Sequence, residues 1–387
     1  MKADENKDGP AFMHRSSSLS RRSFLGSLGA AAVLSSIPAG RSRAEAMPEV
    51  TFVFAADVHA CLMRGGLPAT CIQEGKTDEA LLRHVAAINS LPDLTWPATI
   101  KGEPSGIAAA GRPFGTIAGV VIGGDMTDDG GGQTAVPGEG SQLRQFASRY
   151  QQGIGPDRIH FPVYNGLGNH DLDQNGPRNH PDWYRRELRD YVELNHRPTV
   201  FYKPPQPAED YDLFSDNYSW DWGNLHLVQA ERFAGDATKG AVDSLPWLKQ
   251  DLADNAADGR PVVLFQHYGW DPFSVEKWDP GHHTFDDDGL GPSRWWSDQD
   301  RAALLAVLDG YNVVGIFHGH EHVTPMIYEA GGHDVFKPTA AYLGGFAVVR
   351  VSADTMDAVL ARADEEGGVT FLSSFSKAID GLGGNGR

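Results

Sequence analysis

Five apolar, β-branched runs each end in a polar turn: residues 50–56 before Asp57, 117–122 before Asp125, 161–164 before the 166–171 turn, 262–265 before His267, and 313–317 before His318. Short continuous runs of this kind predict strands buried on both faces. Between them, residues 78–89, 141–151, 245–255 and 297–308 carry the spacing of helices. Strands alternating with helices predict an α/β domain. Residues 346–351, 356–361 and 369–375 read as strands with no helix between them, which predicts a second sheet or an antiparallel edge. Residues 62–72, 91–115 and 271–294 are rich in Gly, Pro and polar side chains and look like inserted loops. The second of these is expected to be tolerated surface length.

The chain has 387 residues and a formal charge of −18. That acidity argues against nucleic-acid binding, whose footprint is a basic face. It leaves small anionic substrates open, because a metal centre supplies positive potential locally. No internal repeat or Pro/Ser-rich linker divides the chain, so one domain over residues 47–387 is expected, with roughly the last ten residues frayed.

Residues 1–46 look like targeting sequence. Ser20-Arg21-Arg22-Ser23-Phe24-Leu25 resembles the twin-arginine export motif, an apolar stretch too short to span a bilayer follows, and Ala44-Glu45-Ala46 has the small-x-small form of a cleavage site. The resemblance implies handling by the twin-arginine translocation machinery and a periplasmic or secreted mature protein. No other segment reaches membrane-spanning length, so the mature chain is expected to be soluble. That route carries folded proteins, so a metal could be loaded before export. Cys61 and Cys71 are the two cysteines. In an oxidising compartment they either pair, which we expect, or remain partly buried thiols.

The chemistry sits in the turns at the strand ends. These supply Asp57 and His59, then Asp125, then Asn169, His170 and Asp171, then His267, then His320 and His322. Carboxylate, amide oxygen and imidazole are the groups that hold hard-to-borderline divalent metals. Any one of them at a strand end is more often a cap or a satisfied polar residue. Five together, beyond the carboxyl ends of strands, point to one site. Residues two apart in an extended turn face the same way, so Asp57 with His59, and His320 with His322, can each meet one pocket.

Asp57-Val58-His59, Gly124-Asp125, Gly168-Asn169-His170-Asp171, His267 and Gly319-His320-Glu321-His322 form an ordered set that resembles the calcineurin-like metallophosphoesterases. The likeness extends over roughly residues 50–350 and takes in residues 218–226 and Trp247-Leu248. It implies a four-layer α/β/β/α sandwich of two mixed sheets flanked by helices. It also implies two metal ions, divalent or trivalent, with Mn, Fe, Zn and Co all compatible. One would be held by Asp57, His59, Asp125 and His322, the other by Asp125, Asn169, His267 and His320. A hydroxide bridging the two would attack phosphorus. His170 would stabilise the transition state or protonate the leaving oxygen, and Asp171 would orient the His170 ring or else cap its turn.

Purple acid phosphatases have Asp-x-Gly first and a tyrosine three residues past the second Asp. Here His59 and Asp128 occupy those places, so a tyrosinate colour is not expected. About sixty residues follow His322, so a large 5′-nucleotidase-type substrate domain is not expected either. The function expected is hydrolysis of small phosphate esters, monoesters first. The alternatives are a phosphodiesterase acting on cyclic nucleotides, glycerophosphodiesters or phospholipid head groups, and a metal-binding module without activity. A membrane surface becomes a partner only for a lipid substrate, through the Trp295-Trp296 region. Lys277, Arg294 and Lys337 are candidates for binding a monoester's second charge. His318 is expected to pack behind the ligands and His226 to be a buried, hydrogen-bonded imidazole. His282 and His283 with Asp286–Asp288 are expected to form a solvated acidic loop. Trp270, Trp295 and Trp296 either wall the substrate site or pack a loop.

Overall fold

Strand β1 (Val50–Ala55) is buried along its whole length and lies in the middle of a six-stranded sheet. The order across that sheet is β17 (Val369–Ala378), β16 (Thr355–Ala363), β15 (Gly345–Val351), β1, β4 (Ile117–Ile122) and β5 (Val163–Asn165). β1, β4 and β5 run parallel, and β15, β16 and β17 extend the sheet antiparallel. The three late strands are therefore the antiparallel edge of the first sheet.

A second sheet of seven strands runs β13 (Met326–Ala330), β14 (His333–Lys337), β12 (Val313–Phe317), β11 (Val262–Phe265), β8 (Leu225–Gln229), β7 (Tyr218–Trp222) and β6 (Asp210–Tyr211). Its middle strands are parallel and its outer ones antiparallel. Two small hairpins stand apart, β2 (Thr99–Ile100) with β3 (Glu103–Pro104) and β9 (Phe233–Ala234) with β10 (Val242–Asp243). This computed structural model describes residues 49–128, 141–171, 182–231, 233–234, 242–271 and 298–379. The expected leader, Lys277, His282, His283, Asp286–Asp288, Arg294, Trp295, Trp296 and the glycine-rich end lie outside them. No helix among the described residues is long and apolar enough to cross a membrane.

The two sheets meet face to face through aromatic rings. Phe52 and Phe54 of β1 lie 5.4–6.0 Å, centroid to centroid, from Phe265 and Phe317 of the opposite sheet. Trp222 adds a ring 5.7 Å from Phe52. Each of the four buried phenylalanines stabilises the fold by about 1.5–3 kcal/mol relative to exposure. The strand period of two then assigns the outer layers. On β11, Val263 and Phe265 enter the core between the sheets. Val262 and Leu264 pack instead with Leu248 and Leu252 of α5 (Leu245–Asn255) and Leu304 and Leu308 of α6 (Asp298–Leu308).

Outside the first sheet, α2 (Asp78–Ser90) lies against β16 and against α3 (Ser141–Tyr150), and α4 (Asp182–His196) lies against β5. The Thr77 hydroxyl accepts from Ala80 N and caps α2, with Asp78 and Glu79 in its positive first turn. A short α1 (Ala69–Glu74) precedes it. The result is the four-layer α/β/β/α sandwich that the resemblance implied.

The stretch over residues 91–115 differs from the surface loop expected. Trp96 and Phe114 are buried in contact with each other, and Phe114 meets Phe371 of β17. Ala108 N and Ala109 N donate to the Asp357 carboxylate, whose Oδ2 also takes Arg350. Apolar residues spaced among glycines and prolines hid this cover from a period-based reading. Cys61 and Cys71 form a disulfide, with Cα atoms 6.4 Å apart, within the usual span.

His226 is buried between two carboxylates, Nδ1 2.7 Å from Asp221 Oδ1 and Nε2 3.0 Å from Asp251 Oδ2. Burial alone would lower its pKa. The two hydrogen bonds and the carboxylate charges overcome that and raise it to about 9. The unfolded imidazole titrates near its ordinary value of about 6.5. The stabilisation is therefore complete below that pH and lost as pH rises through 9, by up to about 3 kcal/mol. Urea unfolding of the wild type between these limits is expected to show this decline. His226→Gln should show a flatter profile over the same range, and parallel profiles would contradict the assignment.

Candidate metal centre

The turns after β1 and β4 are zipped together. Asp57 N donates to Gly124 O, His59 N to Asp125 O and Ala60 N to Met126 O, at 3.0–3.1 Å. The pairing holds Asp57 (φ 57°), His59 (φ 46°) and Asp125 (φ 52°) in left-handed backbone, and His320 (φ 72°), whose N donates to the Asp57 carboxylate, shares that conformation. Side chains other than glycine rarely occupy this region, and such strain concentrates at functional sites. Glycine is required where the turns touch. A Cβ on Gly168 would lie 2.2 Å from Asp125 Oδ1, and one on Gly319 would lie 2.3 Å from Asp57 Oδ2.

The structure brings the seven expected ligand residues together. Asp57, His59, Asp125 and His322 place one donor atom each within 4.8 Å of one another. His59 Nε2 is 3.1 Å from His322 Nε2 and 3.5 Å from Asp125 Oδ2, and His322 Nε2 is 3.5 Å from Asp57 Oδ1. On the other side of Asp125, His267 Nε2 stands 3.1 Å from Oδ2. The Asn169 amide oxygen lies 2.8 Å from His267 Nε2 and 3.1 Å from His320 Nδ1. Asp125 Oδ2 is thus the carboxylate oxygen nearest to both groups, since Asp57 Oδ1 stands 3.9 Å from each of His59 Nε2 and His267 Nε2.

Outer partners aim the imidazoles. His59 Nδ1 donates to Asp128 Oδ1 and His267 Nδ1 to Gly123 O, which turns each Nε2 into the cluster. His322 Nδ1 pairs with the Tyr342 hydroxyl at 3.1 Å. Burial lowers the His59 pKa to about 4 against the pull of Asp128. Burial would lower His267 too, but the nearby charges of Asp125 and Asp57 raise it to about 10. Burial opposes ionisation of Asp57 and Asp125, yet the surrounding imidazoles hold both well below the usual carboxylate range.

This donor set fits cations. Two carboxylates, an amide oxygen and four imidazoles converge with no lysine or arginine among them. Among the described residues Asp125 Oδ2 is buried without a hydrogen bond, and two imidazole nitrogens face each other at 3.1 Å. Protein donors leave that arrangement unsatisfied, and cations would complete it.

His170 is half-buried, its ring 4.7 Å from that of His59. Its backbone N donates to Asp125 Oδ1, and its Nδ1 donates to the Asp128 carbonyl. Asp171 does not orient that ring. Its carboxylate accepts from the backbone N of Met126, Thr127 and Gly168 and from the Thr127 hydroxyl. Burial and the charge of Asp125 push it up to about 7 despite those donors. It pins the Asp125 turn to the Asn169 turn, close to the capping alternative. His318 is buried behind the ligands, with Nε2 2.8 Å from the Tyr328 hydroxyl. Trp270 packs on the outer apolar cluster of the second sheet, and its backbone N donates to Tyr328.

Lys337 is not a substrate cation. It is fully buried, and its ammonium donates to Glu321 O, Glu321 Oε2 and Thr324 O. Glu321 also accepts from Val323 N and Thr324 N. The pair therefore clamps the turn that presents His320 and His322. Sequence reasoning missed this clamp, Tyr342 and the part played by Asp128. Of these only Asp128 stood out in the sequence, three residues past Asp125, and nothing there tied it to His59.

Lys337→Met leaves the Glu321 carboxylate buried without its cation and is expected to cost about 3–5 kcal/mol of stability. Lys337→Met with Glu321→Gln should recover a large part of that loss. Urea unfolding of the two variants checks it, and equal losses would contradict the clamp.

The chain matches the family model described as calcineurin-like phosphoesterase over residues 50–324. Solved structures with a similar fold include a dimetal phosphatase from Danio rerio, 14% identical, covering 86% of this chain and 99% of that one, TM-score 0.47. Another is PhoD, 11% identical, covering 87% and 71%, TM-score 0.47. A third is a purple acid phosphatase from yellow lupin (Lupinus luteus), 14% identical, covering 86% and 54%, TM-score 0.46. No curated protein sequence matches the chain. The family pattern takes in all five donor-bearing turns, and the chain belongs to the calcineurin-like phosphoesterases as a metal-dependent phosphoester hydrolase.

Proposed function

We propose that this chain is an exported phosphomonoesterase that hydrolyses small phosphate esters at the centre formed by Asp57, His59, Asp125, Asn169, His267, His320 and His322. The observation that carries the reading is the shared position of Asp125, between a group of three donors on one side and three on the other. Two bound cations of the Mn, Fe, Zn or Co kind would supply Lewis acidity there, lowering the pKa of water and neutralising charge on phosphoryl oxygens.

The chain's own residues do the rest. Asp128 and Gly123 O fix the His59 and His267 rings so that their Nε2 lone pairs meet a cation. With Nδ1 committed to the Asp128 carbonyl, His170 keeps Nε2 for the substrate. There the ring can hold a proton against a phosphoryl oxygen or deliver it to the leaving oxygen. Export rests on the Ser20–Leu25 motif and the segment behind it. Phosphodiester hydrolysis is the second reading.

Removing Asp125 takes a ligand from each cation, so Asp125→Ala is expected to lose metal together with turnover. His170→Ala should keep its metal and lose about a hundredfold to ten-thousandfold in kcat. Turnover of p-nitrophenyl phosphate and bis(p-nitrophenyl) phosphate, beside elemental analysis of each variant, checks this and ranks monoester against diester. Full activity in Asp125→Ala would contradict the assignment.

A further inference from the structure

Beside the centre lies a groove of about 260 Å³ that the mechanism does not use. Its walls are Ala80 and Arg83 of α2, the turn from Tyr342 to Gly344, and the end of β16 with Arg362, Asp364 and Glu365. Tyr342 belongs to the groove and to the centre at once. Its backbone N donates to Asp57 O, its hydroxyl meets His322 Nδ1, and its ring lies 5.6 Å from that of His59. One aromatic side chain therefore separates a ligand in the groove from the donor set.

The charges in the groove are unequally committed. Asp364 is used by its own turn, where Oδ1 accepts from Glu366 N and Gly368 N. Arg83 and Arg362 are exposed, and neither makes an ion pair or a side-chain hydrogen bond among the described residues. Two guanidinium groups on one cavity suit an oxyanion, because the planar fork matches phosphate oxygens two at a time. Asp364 and Glu365 balance the two guanidinium charges, so the paired donors of the guanidinium forks, rather than net charge, are what suit the groove to a single anionic group.

We propose that Arg83 and Arg362 bind a second phosphate group of the substrate, so that the physiological ester is a small bisphosphate cleaved at one end. The proposal rests on the phosphoesterase reading and narrows its substrate class. It gives the chain the substrate-binding cations that Lys337 does not supply.

The test compares hexane-1,6-bisphosphonate with hexylphosphonate, neither of which is hydrolysed, by calorimetry on the metal-loaded chain. The bisphosphonate is expected to bind about tenfold tighter, and Arg83→Ala with Arg362→Ala should bring the two ligands within about threefold. Arg83→Lys with Arg362→Lys should retain part of the preference, because charge remains while the fork is lost. Equal binding by the wild type, or a preference that survives the alanine pair, would overturn the proposal. Turnover of p-nitrophenyl phosphate by the same wild-type preparation keeps the two readings apart. Turnover without the preference removes the groove's role and leaves the hydrolase standing, and absence of both removes both.

Discussion

Three backbone hydrogen bonds join residues 57–60 to residues 124–126, and the position of both carboxylates depends on them. The pairing continues the register of β1 against β4 past the point where either is still a strand. Keeping that register puts Asp57, His59 and Asp125 in left-handed backbone. Such conformations persist only where the surroundings over-determine them. Here the surroundings are the buried Asp171 carboxylate, which ties Met126 and Thr127 to Gly168, and the Phe52–Phe54–Phe265–Phe317 packing just beneath. The rigid sandwich thus holds a donor cluster that its own charges would disperse.

The same logic governs the imidazoles. Each ligand histidine needs one nitrogen committed outward so that the other is fixed inward. Asp128, Gly123 and Tyr342 serve that end for His59, His267 and His322. Lys337 and Glu321 act one step further out, on the turn itself. A buried ion pair is a weak source of stability, and it is better understood as a device that makes one arrangement of the turn unique.

The strand ends were legible in the sequence because chemistry there comes directly after apolar runs. The runs ending at Ala56, Ile122, Phe265 and Phe317 are strands, and the residues named after them meet in space. Pairings between distant segments were not legible. Nothing local marks Asp128 as the partner of His59, 69 residues away, or Asp171 as the partner of Met126 rather than of the adjacent His170. Lys337 looked like an available cation because burial is a tertiary property. The cover over residues 91–115 was hidden because its buried Trp96 and Phe114 fit no helical or strand period.

The account stands on two cations sharing Asp125. A stepwise metal titration of the metal-stripped chain, with p-nitrophenyl phosphate turnover and bound metal read at each addition, tests this most directly. The expected result is saturation at two ions per chain, with turnover rising as the second site fills. A folded chain that binds no metal, or one that turns over fully after exhaustive chelation, would contradict it.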